Sequence, residues 1–384
     1  MGECGRLGVG ECARGIEQRA AALHPISGAK SSRQFIAQQQ RLPLRRATAS
    51  APPSISGAKS PRPLRPLQQH AAHSPYLQQP RQSKQAPLRP AGPKRSSSYG
   101  GAGWSELSEY EVVGPIAQGA FSQVLRARRV ADASEVAIKH FNTKRMAESP
   151  EELLGMQHEF DALKSLSHRH VMGLHQSIEG TNCSFAIMEY LGGGSLKLVL
   201  SQRLEPLPEL AAAAIVSQLA SALSHCHDRG WIHRDVKAAN VLFADSSRST
   251  VKLVDFGFAM PWSEGSKKQT LPKVGTPSHM APEVHTKRAY DGQRADIFAL
   301  GVLLYEMLHL LLPFDAPSLE GLKMRVLKGN RRPTAVKLSA GAKSLITAML
   351  QTNPEKRPDA VRACTHPWLP QPQPLAGVGP PSPT

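Results

Sequence analysis

Cysteine pairs at metal-ligand spacing are missing: Cys4, Cys12, Cys183, Cys226 and Cys364 are scattered along 384 residues, with no C-x-x-C and no even-numbered framework. This excludes a disulfide scaffold and a cysteine-held zinc site, and fits a reducing compartment. Long apolar runs are missing too. The longest, Ile297 to Phe314, is broken by Glu306 and His309 and preceded by Asp296, so it reads as a buried core helix and not as a membrane span. No succession of charged, apolar and small residues at the start makes a secretory signal. The expected setting is intracellular, cytoplasmic or nuclear. An Arg-rich organellar presequence fits the basic start, with Glu3, Glu11 and Glu17 counting against it.

Acidic residues are scarce in the first hundred positions, which hold 16 Lys plus Arg, 3 Glu and no Asp; the whole chain is +17. That stretch is rich in Pro, Gln, Ser, Ala and Arg, with almost no aromatic residues. It lacks the apolar surface needed to offset the entropy of ordering. Residues 1–108 therefore read as a disordered basic tail, and 370–384 as a Pro-rich tail. A repeated Ile-Ser-Gly-Ala-Lys-Ser, at Ile26 and Ile55, is a local duplication and not a solenoid. Pro63-Leu-Arg-Pro66 and Pro87-Leu-Arg-Pro90 have polyproline II spacing, which a Pro-rich linker produces by composition alone. No aromatic residues alternate with the basic ones to stack on bases, so no specific nucleic-acid partner is expected.

Order is expected from Glu109. Tyr110 to Ile116 and Gln123 to Val130 read as strands joined by Ala117-Gln-Gly-Ala-Phe-Ser122, a small-residue turn whose N–H groups can approach a phosphate. In strand Glu135 to Phe141 the period of two puts Ala137, Lys139 and Phe141 on one face. Lys139 is thus a cation among apolar neighbours. Ser149-Pro-Glu-Glu152 starts a helix, and at about 100° per residue Met156, Leu163 and Leu166 fall near Glu159. A carboxylate inside an apolar stripe needs a cation, and Lys139 is the unexplained one. The two are expected to pair.

Strand Ser184 to Glu189 ends in Gly192-Gly-Gly194, read as a flexible connection between a sheet-rich small lobe and a helical large lobe with a cleft between. His233-Arg-Asp-Val-Lys-Ala-Ala-Asn240 follows a helix over Ala211 to His227 and precedes strand Val241 to Phe243. A turn and strand Thr250 to Val254 then return the chain to Asp255-Phe-Gly257, so Asn240 and Asp255 should stand side by side as oxygen ligands for magnesium.

In order and spacing these residues resemble the eukaryotic protein kinase family, Ser/Thr branch, over Tyr110 to Leu369. The markers are the 117–124 loop, Val136-Ala-Ile-Lys139, Glu159, the His233 octapeptide, Asp255-Phe-Gly, Gly275-Thr-Pro, Ala281-Pro-Glu, Asp296 and Arg357. The resemblance implies an α+β two-lobed kinase fold over 109–369, with a small lobe 109–190 holding one main helix and a helical large lobe 195–369. It also implies ATP-dependent phosphotransfer to protein Ser/Thr hydroxyls, with ATP and Mg²⁺ as cofactors. Lys139 would hold the α- and β-phosphates and Glu159 orient it; Asp235 would accept the hydroxyl proton and Lys237 steady the γ-phosphate. Asn240 and Asp255 would hold metal. Val124, Ala137 and Leu242 would sandwich adenine, with Ile116 and Gly119 above, Met188 behind, and Glu189 and Leu191 bonding at the hinge. Glu283 and Arg357 would form a buried pair, and Asp296 would start the central helix of the large lobe.

Departures from the family pattern carry their own expectations. Ala117 and Ser122 replace the first and third loop glycines, and the first of these restricts the backbone; on this ground alone a pseudokinase scaffold is the alternative. Arg234 implies control by an activation-loop phosphate from an upstream kinase. With Pro272 at the usual site, Thr270 is the expected acceptor in the loop that also carries Thr276. Ala239 and Ser195 stand where basophilic relatives have acids, so a strong demand for upstream Arg in the substrate is not expected. His366-Pro-Trp368 resembles calmodulin-dependent kinases, but only 16 residues follow, too few for their regulatory helix.

Overall fold

A computed structural model describes residues 94–95, 104–263, 271–286, 289–333 and 335–370. The small lobe is one antiparallel sheet of β1 (Lys94–Arg95), β2 (Tyr110–Gln118), β3 (Ser122–Arg129), β4 (Glu135–Phe141), β5 (Leu174–Ile178) and β6 (Ser184–Glu189), in the order β1-β2-β3-β4-β6-β5. Alternation along β4 sends Val136 and Ile138 to an outer core with Leu125, Phe185 and Ile187, while Ala137 and Phe141 join the inner core with Met188. Each large apolar side chain so buried contributes about 1.5–3 kcal/mol. Order starts ahead of Glu109: residues Trp104–Leu107 form a 3-10 turn, and both Trp104 and Leu107 are buried in the outer core. Of the expected tails, residues 1–93, 96–103 and 371–384 lie outside the described residues.

Two helices, α1 (Thr143–Met146) and α2 (Pro150–Ser165), cover the inner face. Ser149 precedes α2 as expected, but its hydroxyl meets the Glu151 carboxylate at 3.4 Å and makes no bond to the helix backbone. Glu159, Phe160 and Leu163 form the buried side of α2, so the carboxylate sits in the apolar stripe.

The Gly192-Gly-Gly194 connection is packed and not loose. Gly192 N–H and Gly193 N–H donate to the carbonyls of Ala244 and Phe243, at 3.0 and 3.2 Å, and a Cβ at Gly193 would overlap the Asp245 carbonyl and the Phe243 side chain. Glycine serves here for close approach of two backbones.

The large lobe runs through α3 (Leu196–Ser201), α4 (Glu209–Asp228), β7 (Trp231–Ile232), β8 (Val241–Phe243), β9 (Val251–Leu253), β10 (Met260–Pro261), α5 (Pro282–Thr286), α6 (Gly292–His309), α7 (Leu319–Lys328), α8 (Ala340–Met349) and α9 (Ala360–Cys364). Helix α6 is apolar nearly all round and therefore central. Its start differs from expectation: Asp291 is the N-cap, accepting from Gln293 N–H and Arg294 N–H, while Asp296 lies one turn inside. No helix among the described residues is long and apolar enough to cross a membrane.

Behind the hinge, between α2 and α4, three imidazoles gather. His168 stacks on His225 at 5.1 Å and meets His170 edge-on at 5.5 Å. Its Nδ1 accepts from His170 N–H at 3.2 Å, so its Nε2 is the donor to Ser221 Oγ at 3.1 Å and the ring is neutral. Burial, followed by the neighbouring His170 and His225, pushes His168 down to about 4. The unfolded chain, at about 6.5, takes up that proton first as pH falls. The stabilisation is therefore complete above about 6.5 and is lost as pH drops toward 4. Thermal denaturation should show Tm falling across that window, and His168→Gln should flatten the slope; equal slopes in the two proteins would show that His168 is not its source.

Candidate active site

The cleft between the lobes is built around Lys139. Its Nζ donates to both oxygens of Glu159, at 2.5 and 2.8 Å, and to Asp255 Oδ1 at 3.2 Å. Burial opposes charge on this amine, but Glu159 and Asp255 together outweigh it, and the lysine is held protonated above its ordinary range. The expected pair is present, and Asp255 extends it into a bridge between lobes. Lys139 lowers Asp255 below the usual carboxylate range, against the opposing effect of burial. Asp255 has φ +61°, a left-handed backbone that aspartate tolerates better than most residues.

Hydrogen bonds fix the catalytic loop from below. Asp296 Oδ2 accepts from His233 N–H at 2.9 Å and from His227 Nε2 at 3.0 Å, and Oδ1 accepts from Arg234 N–H at 2.8 Å. Burial opposes its charge, but His227 and these donors hold the carboxyl below its ordinary value. The His233 ring accepts from Asp235 N–H at its Nδ1, 3.2 Å, and its Nε2 reaches the Val254 carbonyl at 3.1 Å. The loop is thereby tied both to α6 and to the strand that leads into Asp255.

Asp235 is buried and fully engaged. Oδ2 accepts from Lys237 Nζ at 2.6 Å and Asn240 Nδ2 at 3.0 Å; Oδ1 accepts from Thr276 N–H at 3.0 Å and Thr276 Oγ1 at 2.8 Å. Lys237 Nζ also reaches Thr276 Oγ1 at 3.0 Å. Thr276 was expected only as part of the activation loop, yet it seats a hydroxyl on the carboxylate beside Lys237. Gly275 makes that possible: it has φ +101°, and a Cβ there would strike the Arg234 carbonyl. Thr270 lies outside the described residues.

Asn240 and Asp255 meet the hairpin expectation in part. Val241 pairs with Leu253 and Val254 N–H donates to the Asn240 carbonyl at 3.0 Å, which places Asn240 beside the residue before Asp255. The Asn240 amide nitrogen is committed to Asp235 O and Oδ2, at 2.9 and 3.0 Å, which turns its oxygen outward. An amide oxygen and a carboxylate are hard donors suited to magnesium.

The remaining residues line the cleft. Ala137 and Met188 are paired across β4 and β6 and buried in the inner core, with Val124, Leu191 and Leu242 packed at its margin. Ile116, half exposed, stands at the rim of β2. Gly119 N–H closes the turn onto the Ser122 carbonyl at 2.7 Å. Ala117 lies within β2 opposite Val124 and has no left-handed backbone, so alanine is unstrained there. The Glu189 side chain points away from the cleft: it pairs with Lys252 at 2.7 Å and accepts from Gly173 N–H at 2.6 Å. Sequence reasoning missed Lys252, for which the only signal was a lysine alternating with apolar residues in Val251-Lys-Leu253.

The protein kinase domain model matches residues 110–369, and the chain belongs to the protein kinase family. It is similar to the maternal embryonic leucine zipper kinase of Xenopus tropicalis, 33% identical over 265 residues, 69% of this chain and 40% of that protein. It is also similar to CBL-interacting protein kinase 30 of Oryza sativa subsp. japonica, 33% identical over 267 residues, 69% of this chain and 55% of that protein. The chain thus spans about half or less of the length of these relatives. The family generally uses ATP and Mg²⁺.

Proposed function

We propose that this chain is a protein serine/threonine kinase, transferring the γ-phosphate of ATP to Ser or Thr hydroxyls of protein substrates. The bridge of Lys139 between Glu159 and Asp255 carries this reading, because it gathers charged groups of both lobes at one point in the cleft. A transferring phosphoryl group is spread-out negative charge, and preplaced donors stabilise it without reorganisation.

Lys139, held by Glu159, takes the α- and β-phosphates, and adenine lies between Val124, Ala137 and Leu242 with Met188 behind it. Lys237 neutralises the γ-phosphate. Asn240 and Asp255 would hold magnesium, which when bound neutralises phosphate charge. Asp235 orients the substrate hydroxyl and takes its proton as oxygen bonds to the γ-phosphorus, the bond to the β–γ bridging oxygen breaks and ADP leaves. The Thr276 hydroxyl, 2.8 Å from Asp235 Oδ1, supports this role, since it is a hydroxyl already donating to that oxygen. Arg234 supports control by an upstream kinase: its Nε donates to Phe258 O at 2.7 Å while its buried Nη1 meets no partner among the described residues. Ala117 in ordinary strand backbone weighs against the pseudokinase alternative, whose ground is the glycine-poor loop. An intracellular setting fits the free cysteines Cys183, Cys226 and Cys364.

Purified full chain with labelled ATP, magnesium and a generic basic protein should incorporate phosphate. Asp255→Ala should retain about 1% of that rate or less, the 10²–10³-fold loss found when one transition-state-stabilising group is removed. Equal incorporation by the two proteins would end this reading.

A further inference from the structure

The family match begins at Tyr110, yet the chain ahead of it is attached to the small lobe at two places. β1 pairs antiparallel with β2, Lys94 opposite Val112 and Arg95 opposite Glu111. That pairing covers main-chain groups that β2 would otherwise present along an open sheet edge. Further on, Trp104 is 9% exposed and Leu107 is fully buried, both in the outer core. The Trp104 ring lies 5.0 Å from the His140 ring and edge-on to Phe185 at 5.2 Å.

The location of this contact matters more than its size. His140 and Phe185 sit directly opposite each other on β4 and β6, with rings stacked at 5.1 Å. The preceding residue on β4 is Lys139, whose partner on β6 is Ala186. Successive side chains of a strand point to opposite faces, so His140 faces outward where Lys139 faces the cleft. The three rings therefore grip the outer side of the strand pair directly behind the ammonium that bridges Glu159 and Asp255.

We propose that the two attachments at Lys94–Arg95 and Trp104–Leu107 form an intramolecular clasp on the small lobe, and that Trp104 is a positioning residue for Lys139. It acts through His140 and Phe185, holding β4 and β6 in the register and twist from which Lys139 reaches the nucleotide phosphates. Without the indole, β4 and β6 keep their hydrogen bonds and the His140–Phe185 stack, but lose the ring that covers that stack behind Lys139. Nucleotide binding weakens while the catalytic loop of the large lobe, and with it the chemical step, is untouched. The clasp rests on the reading of the cleft as a nucleotide site.

The test uses the full chain, a fluorescent ATP analogue with magnesium, and steady-state kinetics, all well below each variant's Tm. Trp104→Ala should raise the nucleotide Kd and the KM for ATP by about tenfold and leave kcat within about twofold, a split that general loss of folded protein does not produce. Trp104→Phe, which keeps a ring on His140 and Phe185, should recover affinity to within about threefold of the parent. A lowered Tm with unchanged Kd in Trp104→Ala would reduce Trp104 to core packing and overturn the proposal. Equal weakening by Ala and Phe would overturn it too. If the alanine variant does not fold, Trp104→Leu carries the same comparison, raised Kd in favour and unchanged Kd against. Because Kd needs no turnover, a parent chain that binds nucleotide but transfers no phosphate would sink the kinase reading and still test the clasp.

Discussion

Asp235→Asn is expected to lower kcat by about 10²–10⁴-fold while the Kd for MgATP stays within about threefold of the parent. The side chain is 2% exposed and accepts hydrogen bonds at both oxygens, from Lys237 and Asn240 on one and from Thr276 on the other. Asparagine fills the same volume, and its oxygen can keep either the Thr276 side or the Lys237 side of that set. What it cannot do is take a proton from a substrate hydroxyl at neutral pH. Lys139, Glu159 and Asp255 do not bond to Asp235; Lys237 and Asn240 do, both on Oδ2, and an asparagine whose oxygen takes that place keeps both contacts, so nucleotide affinity should fall far less than kcat. Steady-state kinetics paired with titration of nucleotide into the full chain reads both quantities. A kcat within tenfold of the parent would remove Asp235 from the role of proton acceptor and leave it as a brace for Lys237 and Thr276.

What could be read from the sequence depended on how far apart in the chain a contact's partners lie and whether a period linked them. Lys139 and Glu159 were legible because each broke an apolar pattern of known period, and a buried carboxylate and a buried ammonium need one another. The hairpin that returns Asp255 toward Asn240 was legible because a strand, a turn and a strand follow within a few residues. Asp296 was misplaced as the start of a helix because its real task, accepting from His233 N–H and Arg234 N–H, depends on a tertiary contact 62 and 63 residues away. Thr276 and Lys252 escaped for the same reason. Gly192-Gly-Gly194 looked loose because composition reports what glycine permits, not whether another backbone occupies the space left by its missing side chains. Trp104 was absorbed into a tail judged by its average composition. The local signal was there in the apolar pair Trp104 and Leu107, spaced by three.

Removing the Arg357 guanidinium should produce the largest stability loss of any single change considered for this chain. Arg357 is fully buried in the large lobe, with its side chain 0% exposed against 2% for Glu283. Nη1 and Nη2 reach the two Glu283 oxygens at 2.7 and 3.1 Å, and Nη2 also donates to Gln351 O at 2.9 Å. The guanidinium lies 5.0 Å from the centre of the Phe298 ring on α6. Arg357→Ala therefore opens a cavity and strands a carboxylate without its cation, a change that costs about 3–5 kcal/mol when the pair is buried. In a domain of this size that corresponds to a fall in Tm of roughly 6–20 °C. Glu283 belongs to α5, directly after the segment that carries Thr276 to Asp235, so substrate phosphorylation should fall as well, through disorder at Thr276 and with nucleotide affinity spared. Combining Glu283→Leu with Arg357→Met tests the cause. If the cost is the unpaired charge, the double variant recovers much of the lost Tm, because well-packed apolar residues often replace a buried ion pair at little penalty. A single Arg357→Ala variant melting within about 2 °C of the parent would show that Glu283 finds another partner, and the pair would then have no structural claim on the substrate loop.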